Sequence, residues 1–138
     1  MSDFRRLSPQ MLASPQIGLA DISEAKALGV TLIVNNRPEG ESDDQTPGPA
    51  IEAAAREAGI DYLAIPITHA GFSHPQVAAL AEALKAAGDG PVLGYCRSGT
   101  RSIVTWSLGQ ALSGARTPAE LVELGAGAGY DLSGVLGR

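Results

Sequence analysis

Cys96 is the only cysteine of the chain, and it opens the run Cys96-Arg97-Ser98-Gly99-Thr100-Arg101-Ser102 directly after the apolar segment 91–95. A small-residue turn between a strand and a helix aims several backbone N–H groups, and the positive end of the helix dipole, at one point. An anion sits well there. So does a thiolate, because the same donors, helped by Arg97 or Arg101, favour the ionised sulfur over the thiol. The pattern reads as a nucleophile facing a bound oxyanion held by residues 97–101. Gly99 lets the backbone pass close to the ligand, and Arg101 offers a planar fork to two of its oxygens. A lone cysteine is by default a small buried hydrophobe. A structural cysteine, however, has no need of two arginines, a glycine and three hydroxyls in the six residues that follow it.

The elements that must position this loop alternate along the chain. A first helix reads over 21–28, with Asp21 and Glu24 in a capping-box pattern and Gly29 as its stop. A short apolar, β-branched run over 30–34 reads as a buried strand, followed over 35–45 by a polar stretch that reads as a surface loop. Thr46 and Pro47 open an alanine-rich helix that Gly59 ends. A strand over 62–67 precedes a third helix, capped by Ser73 and Gln76 and running to about Ala87. The strand that delivers Cys96 comes next, then a helix over 101–112, then a last helix that starts at Thr117 with Pro118 and Glu120. Such alternation predicts a three-layer α/β fold, a mainly parallel central sheet with helices on both faces. Ligands of such folds bind at the carboxyl ends of the strands, where the Cys96 loop falls.

Composition narrows the partners. With 138 residues, 44% of them hydrophobic and 18% charged, the chain is expected to form a single domain over 1–138. A net charge of −5 without a basic stripe argues against nucleic-acid and anionic-membrane surfaces, and the positive charge that matters is local. One cysteine forms no internal disulfide, so a reducing cytoplasm is the expected compartment. Arg5, Arg6, Pro9 and Pro15 interrupt the first twenty residues, so no signal peptide is expected, and no run reaches the roughly 18 apolar residues of a membrane span. Two separate histidines and one cysteine offer no metal-ligand spacing, and no cofactor is called for. The glycines over 125–129 follow a helix rather than a strand, which argues for a turn and against a dinucleotide site. Trp106, Leu108 and Leu112 share helical spacing behind the loop and are expected to pack in the core.

The order of strand, acidic loop, helix, strand, helix, strand and Cys…Arg loop resembles the tyrosine and dual-specificity phosphatase fold. More closely, Ser8-Pro9-Gln10, Asn35-Asn36-Arg37-Pro38-Glu39-Gly40-Glu41 and Tyr95-Cys96-Arg97-Ser98-Gly99-Thr100-Arg101-Ser102 resemble the phosphatase-like domain of the beta-lactamase hydrolase-like proteins. The resemblance runs from about Phe4 to Tyr130. It implies Cys96 as nucleophile, the 97–101 amides and the Arg101 side chain as phosphate cradle, and Ser102 as a hydrogen-bond donor easing departure of the thiolate. Two departures stand out. The phosphatase signature has five residues between Cys and Arg, whereas four separate Cys96 from Arg101, and Tyr95 stands where a histidine is usual.

A phosphatase also protonates its leaving group. At the position where dual-specificity phosphatases carry an aspartate, this chain has His69, whose imidazolium could donate the proton. The acidic stretch over 39–44 is a weaker substitute and reads first as a solvated loop, and His74 reads as the first residue of its helix. The expected activity is phosphomonoester hydrolysis, phosphotyrosine included, through a Cys96 thiophosphate, with a small phosphorylated or anionic substrate. The alternative is a rhodanese-type sulfurtransferase that carries a Cys96 persulfide between a sulfane-sulfur donor and an acceptor. The six-residue loop and the missing aspartate speak for it. A weakly catalytic module that binds anions and regulates a partner is a third reading.

Overall fold

The structure is a computed structural model that describes residues 3–68 and 72–136. Its centre is a five-stranded sheet in the order β1-β2-β5-β3-β4, formed by β1 (Arg5–Arg6), β2 (Met11–Ser14), β3 (Leu32–Asn35), β4 (Asp61–Ala64) and β5 (Val92–Tyr95). Only the β1/β2 pair is antiparallel. The register levels the carboxyl ends of the four parallel strands, since Ser14 and Asn35 both lie opposite Tyr95, and Ala64 lies opposite Asn35. Each strand therefore hands its next residue to the same rim. The ladder continues one step beyond it, with Cys96 N–H on Ser14 O (3.3 Å), Asn36 N–H on Tyr95 O (2.8 Å) and Ile65 N–H on Asn35 O (2.9 Å).

Alternation along the strands divides the core between the two faces of the sheet. Met11, Ala13, Val34 and Val92 pack with α3 (His74–Ala87), α4 (Thr100–Ser113) and α5 (Pro118–Gly127), chiefly through Leu80, Leu84, Ile103, Trp106 and Leu121. Leu12, Ile33, Leu93 and Tyr95 pack with α1 (Asp21–Ala27) and α2 (Gly48–Glu57) through Ile22, Ala25, Ile51 and Ala55. This is the expected mainly parallel sheet covered on both faces. Gly94 lets α4 lie close to the sheet, for a Cβ there would meet Met11 Cε at 2.9 Å and Ser102 Cβ at 3.2 Å. The start of α4 is thereby drawn down over the end of β5.

Capping at α3 and α5 follows the sequence. Ser73 Oγ accepts from Gln76 N–H (3.4 Å) while Gln76 Oε1 accepts from Ser73 N–H (2.8 Å), and Thr117 and Glu120 make the same reciprocal pair at 3.2 and 2.8 Å. At α1 the expected capping box is absent. Ala20 occupies the N-cap, and Asp21 is already helical, its carboxylate accepting from Gly18 N–H at 2.7 Å. The carboxylate closes the preceding turn and still meets the positive end of the helix, which serves the same electrostatic purpose.

Three further differences stand beside these, and the first two have physical causes. Strands β1 and β2 gave no sequence signal, because β1 is two residues long and β2 is short, set between Pro9 and Pro15, and paired with β5, distant in the chain. Leu112, expected in the core with Trp106 and Leu108, is 70% exposed, because α4 turns that position away from the sheet near its end. The one-turn helix α6 (Ser133–Leu136) was not anticipated. No helix among the described residues is long and apolar enough to cross a membrane.

Candidate active site

Cys96 is the first residue beyond β5 and is fully buried. Its Sγ accepts a hydrogen bond from Gly99 N–H at 3.1 Å. Gly99 forms the N-cap of α4 at φ 93°, so the loop turns back on itself within three residues and the helix begins over the sulfur. Ser98 and Thr100 hold the turn, with Thr100 N–H on Ser98 Oγ (3.3 Å) and Ser98 Oγ–H on Thr100 Oγ1 (2.9 Å). Among the described residues, the amides of Arg97, Ser98, Arg101 and Ser102 have no hydrogen-bond acceptor. These are donors of a helix start and the loop ahead of it, the usual material of an anion cradle. The Arg97 side chain is exposed at the mouth, while its carbonyl is tied to Gln16 N–H (3.3 Å).

Arg101 is braced from a direction that the sequence did not reveal. Its Nη1 donates to Glu41 Oε2 and to Ile67 O, and its Nη2 to Glu41 Oε1, all at 2.8 Å. Three of the five guanidinium hydrogens are thus committed. The Nε–H and the second Nη2 hydrogen meet no nitrogen or oxygen acceptor among the described residues, and the guanidinium also interacts with Cys96, so this edge and the sulfur together form the fork for a ligand. Glu41 in turn accepts from Arg37 Nε (2.8 Å), and Arg37 spends its other nitrogens on Gln16 Oε1 and Ser42 Oγ, both at 3.0 Å. The Arg101 guanidinium beside Glu41, and then that of Arg37, hold this carboxyl at about 2, far below its ordinary 4.5. Glu41 is therefore a permanent counter-charge rather than a source of protons near neutral pH. Arg101 is held in its charged form first by Glu41, and the nearby Cys96 acts in the same direction.

Ser102 lies in the first turn of α4, fully buried, and donates its hydroxyl hydrogen to Asn36 Oδ1 at 2.7 Å. Asn36 joins three strand ends: its N–H bonds Tyr95 O, its carbonyl accepts from Ile67 N–H (3.0 Å) and its Nδ2 donates to Ile65 O (2.9 Å). Tyr95 packs on the α1/α2 face of the sheet, where burial raises the pKa of its hydroxyl and keeps it neutral. His69, the expected proton donor, lies outside the described residues. His74 is the first residue of α3, as its neighbours implied.

Cys96, Gly99, Arg101 and Ser102 thus converge on the rim, together with Gln16, which the sequence reading did not single out, and with Asn36, Arg37 and Glu41, which it quoted as part of a resembling motif without placing them at this site. The 35–45 stretch is not the solvated loop expected. Asn35, Asn36 and Arg37 are buried, and Glu41 reaches inward. The available signal was its place after a buried strand: in a parallel sheet, a polar run there lands beside the equivalent loop of the neighbouring strand. Chemically, the rim offers a sulfur beside unbonded amides and a charged fork, and the fork is fixed by a half-buried carboxylate.

Comparison with known proteins accords with this geometry. Residues 3–113 match the family described as beta-lactamase hydrolase-like protein, phosphatase-like domain. The beta-lactamase hydrolase-like protein of Agrobacterium fabrum is 31% identical over 127 residues, covering 92% of the chain and 29% of that relative, so the chain spans less than a third of the relative's length. Among solved structures, nma1982 of Neisseria meningitidis, a candidate phosphatase, superposes with a TM-score of 0.86 at 27% identity, covering 100% of this chain and 96% of its own. The P. aeruginosa protein TpbA, solved in complex with phosphotyrosine, shares the fold at a TM-score of 0.69 and 20% identity over 95% of this chain and 76% of its own. The chain belongs to the phosphatase-like domain family of the beta-lactamase hydrolase-like proteins, and its fold is that of the tyrosine and dual-specificity phosphatases.

Proposed function

We propose that this chain acts as a single unit, a cysteine-dependent phosphatase-like hydrolase of small phosphomonoesters, phosphotyrosine among them. The observation that carries the reading is the edge of Arg101 that Glu41 and Ile67 leave over, in interaction with Cys96, together with four unbonded amides in the loop that follows the sulfur. A phosphate dianion fits that donor set, its non-bridging oxygens taking the amides of residues 97–101 and the guanidinium fork. The Cys96 thiolate then attacks phosphorus, forming the S–P bond as the P–O bond to the leaving group breaks. His69 is the candidate to give that oxygen its proton. Water next cleaves the S–P bond, releasing phosphate and returning the thiolate. A reducing cytoplasm would keep this single thiol available.

The four-residue spacing between Cys96 and Arg101, together with the ionised state of Glu41, favours a second reading, transfer of sulfane sulfur through a Cys96 persulfide. That chemistry expels sulfite or a thiolate and needs no acid. One experiment separates the two. Purified protein is incubated with an aryl phosphate and, separately, with thiosulfate plus cyanide, and Cys96 is then weighed by mass spectrometry. Phosphate release that falls by about 10³-fold or more in Cys96→Ser supports the hydrolase. Thiocyanate formation with one sulfur atom added to Cys96, and no phosphomonoester hydrolysis, replaces it with the transferase. Anion binding without turnover in either arm leaves a binding module.

A further inference from the structure

A trans peptide shows its C=O and N–H on opposite sides, and the Ser98–Gly99 peptide uses both. None of the described peptide bonds is cis. On one side Gly99 N–H donates to Cys96 Sγ at 3.1 Å, and on the other Ser98 O accepts from Tyr130 Oη–H at 3.0 Å. Gly99 has φ 93° and ψ −15°, the backbone of the second central residue of a type II turn. Rotating the 98–99 peptide by half a turn produces a type I turn, which glycine tolerates equally well. The carbonyl oxygen would then face the sulfur in place of the N–H. Glycine at 99 removes the steric preference between these two states, so the hydrogen bonds on the two sides of the peptide decide.

Tyr130 supplies the choice from outside the loop. It follows α5, where its N–H bonds Gly125 O at 2.8 Å. The guanidinium of Arg5 lies 5.2 Å from the centre of its ring and also donates to Ala128 O at 3.2 Å. The phenol is pressed onto Gly99, where a Cβ would stand 2.3 Å from its oxygen. Burial keeps the hydroxyl protonated and so a donor. Residue 130 also lies beyond the span that matches the family, 3–113.

We propose that Tyr130 is a positioning residue: its hydroxyl latches the Ser98–Gly99 peptide with the N–H turned to Cys96, so that the sulfur meets a donor dipole. The bond also polarises the peptide, since drawing on the carbonyl strengthens the N–H opposite. The inference rests on Cys96 acting as a thiolate, as in the function proposed above, but not on what that thiolate attacks. Alkylation of Cys96 therefore tests it even if the chain hydrolyses no phosphomonoester.

Tyr130→Phe keeps the ring under Arg5 and removes only the O–H. In the folded variant, alkylation of Cys96 by iodoacetamide at fixed neutral pH is expected to slow by about three- to tenfold, the worth of one hydrogen bond to the reacting sulfur. The Gly99 amide proton resonance is expected to move upfield as its bond to sulfur is lost. A merely structural role predicts the opposite sign, for Cys96 is fully buried and loosening the fold would speed alkylation. An alkylation rate equal to or above that of the native chain, or an unmoved Gly99 resonance, overturns the proposal. If Tyr130→Phe does not fold, Arg5→Met frees the ring from its stack without touching the site and is read the same way. Slower alkylation with a moved Gly99 resonance supports the latch, and unchanged values overturn it.

Discussion

Replacing Glu41 with glutamine removes the one counter-charge that Arg37 and Arg101 share while keeping its shape. The carboxyl is held at about 2 against an ordinary 4.5, first by its bonds from Arg101 and then by Arg37. At about 1.36 kcal/mol per unit, a displacement of that size corresponds to at most about 3 kcal/mol of pairing free energy. Because the side chain is 17% exposed and the site opens to solvent, screening brings the expected loss in Glu41→Gln to about 2 kcal/mol at neutral pH. The pH dependence carries the sharper test. A folded-state value below the unfolded one means the contribution is complete above about pH 5 and is lost as pH falls from about 4.5 towards 2. Protonated Glu41 is nearly isosteric with glutamine, so the native chain should converge on the variant in acid. Urea unfolding of both proteins at several pH values is the assay. The native chain is expected to be more stable by about 2 kcal/mol near pH 7 and by less than half of that near pH 3. An equal gap at both pH values, or one below about 0.5 kcal/mol at neutral pH, would refute a charge-based brace.

Two further substitutions probe how the rim is held. Asn36→Ala strips the fully buried Ser102 hydroxyl of its acceptor and the Ile65 carbonyl of a donor. It should cost about 2–3 kcal/mol in urea unfolding, and a loss under about 1 kcal/mol would show that the strand ends do not depend on this residue. Gly99→Ala forces an alanine to φ 93° with its Cβ 2.3 Å from Tyr130 Oη and 3.3 Å from the Ser14 backbone carbon. A thermal midpoint lowered by several degrees, about 1–3 kcal/mol, is expected, and an unchanged midpoint with unchanged Cys96 alkylation would contradict the described loop.

The helices that begin at Ser73 and Thr117 were legible because capping is local: the donor, the acceptor and the proline all fall within four residues. The buried strands β3 and β5 were legible for a related reason, since a strand covered on both faces must be apolar along its whole length. Strand β2 is covered on both faces too, yet its Met-Leu-Ala-Ser run is too short and too weakly β-forming to be told from a loop. Its identity comes from hydrogen bonds to β5, a partner no local pattern reveals.

The Cys96–Ser102 loop was determined by the sequence itself, because a cysteine, a turn-forming glycine and an arginine placed close together between a strand and a helix leave few arrangements open. What surrounds it was decided only by the tertiary structure. Glu41, Asn36 and Tyr130 reach Arg101, Ser102 and Ser98 across 60, 66 and 32 residues of chain. Charges over 35–45 read as solvated because local pattern records polarity but not the direction a loop takes. That direction is set by the strand order, which lays β3 beside β5 with their ends level and so turns an acidic loop onto an arginine that needs it.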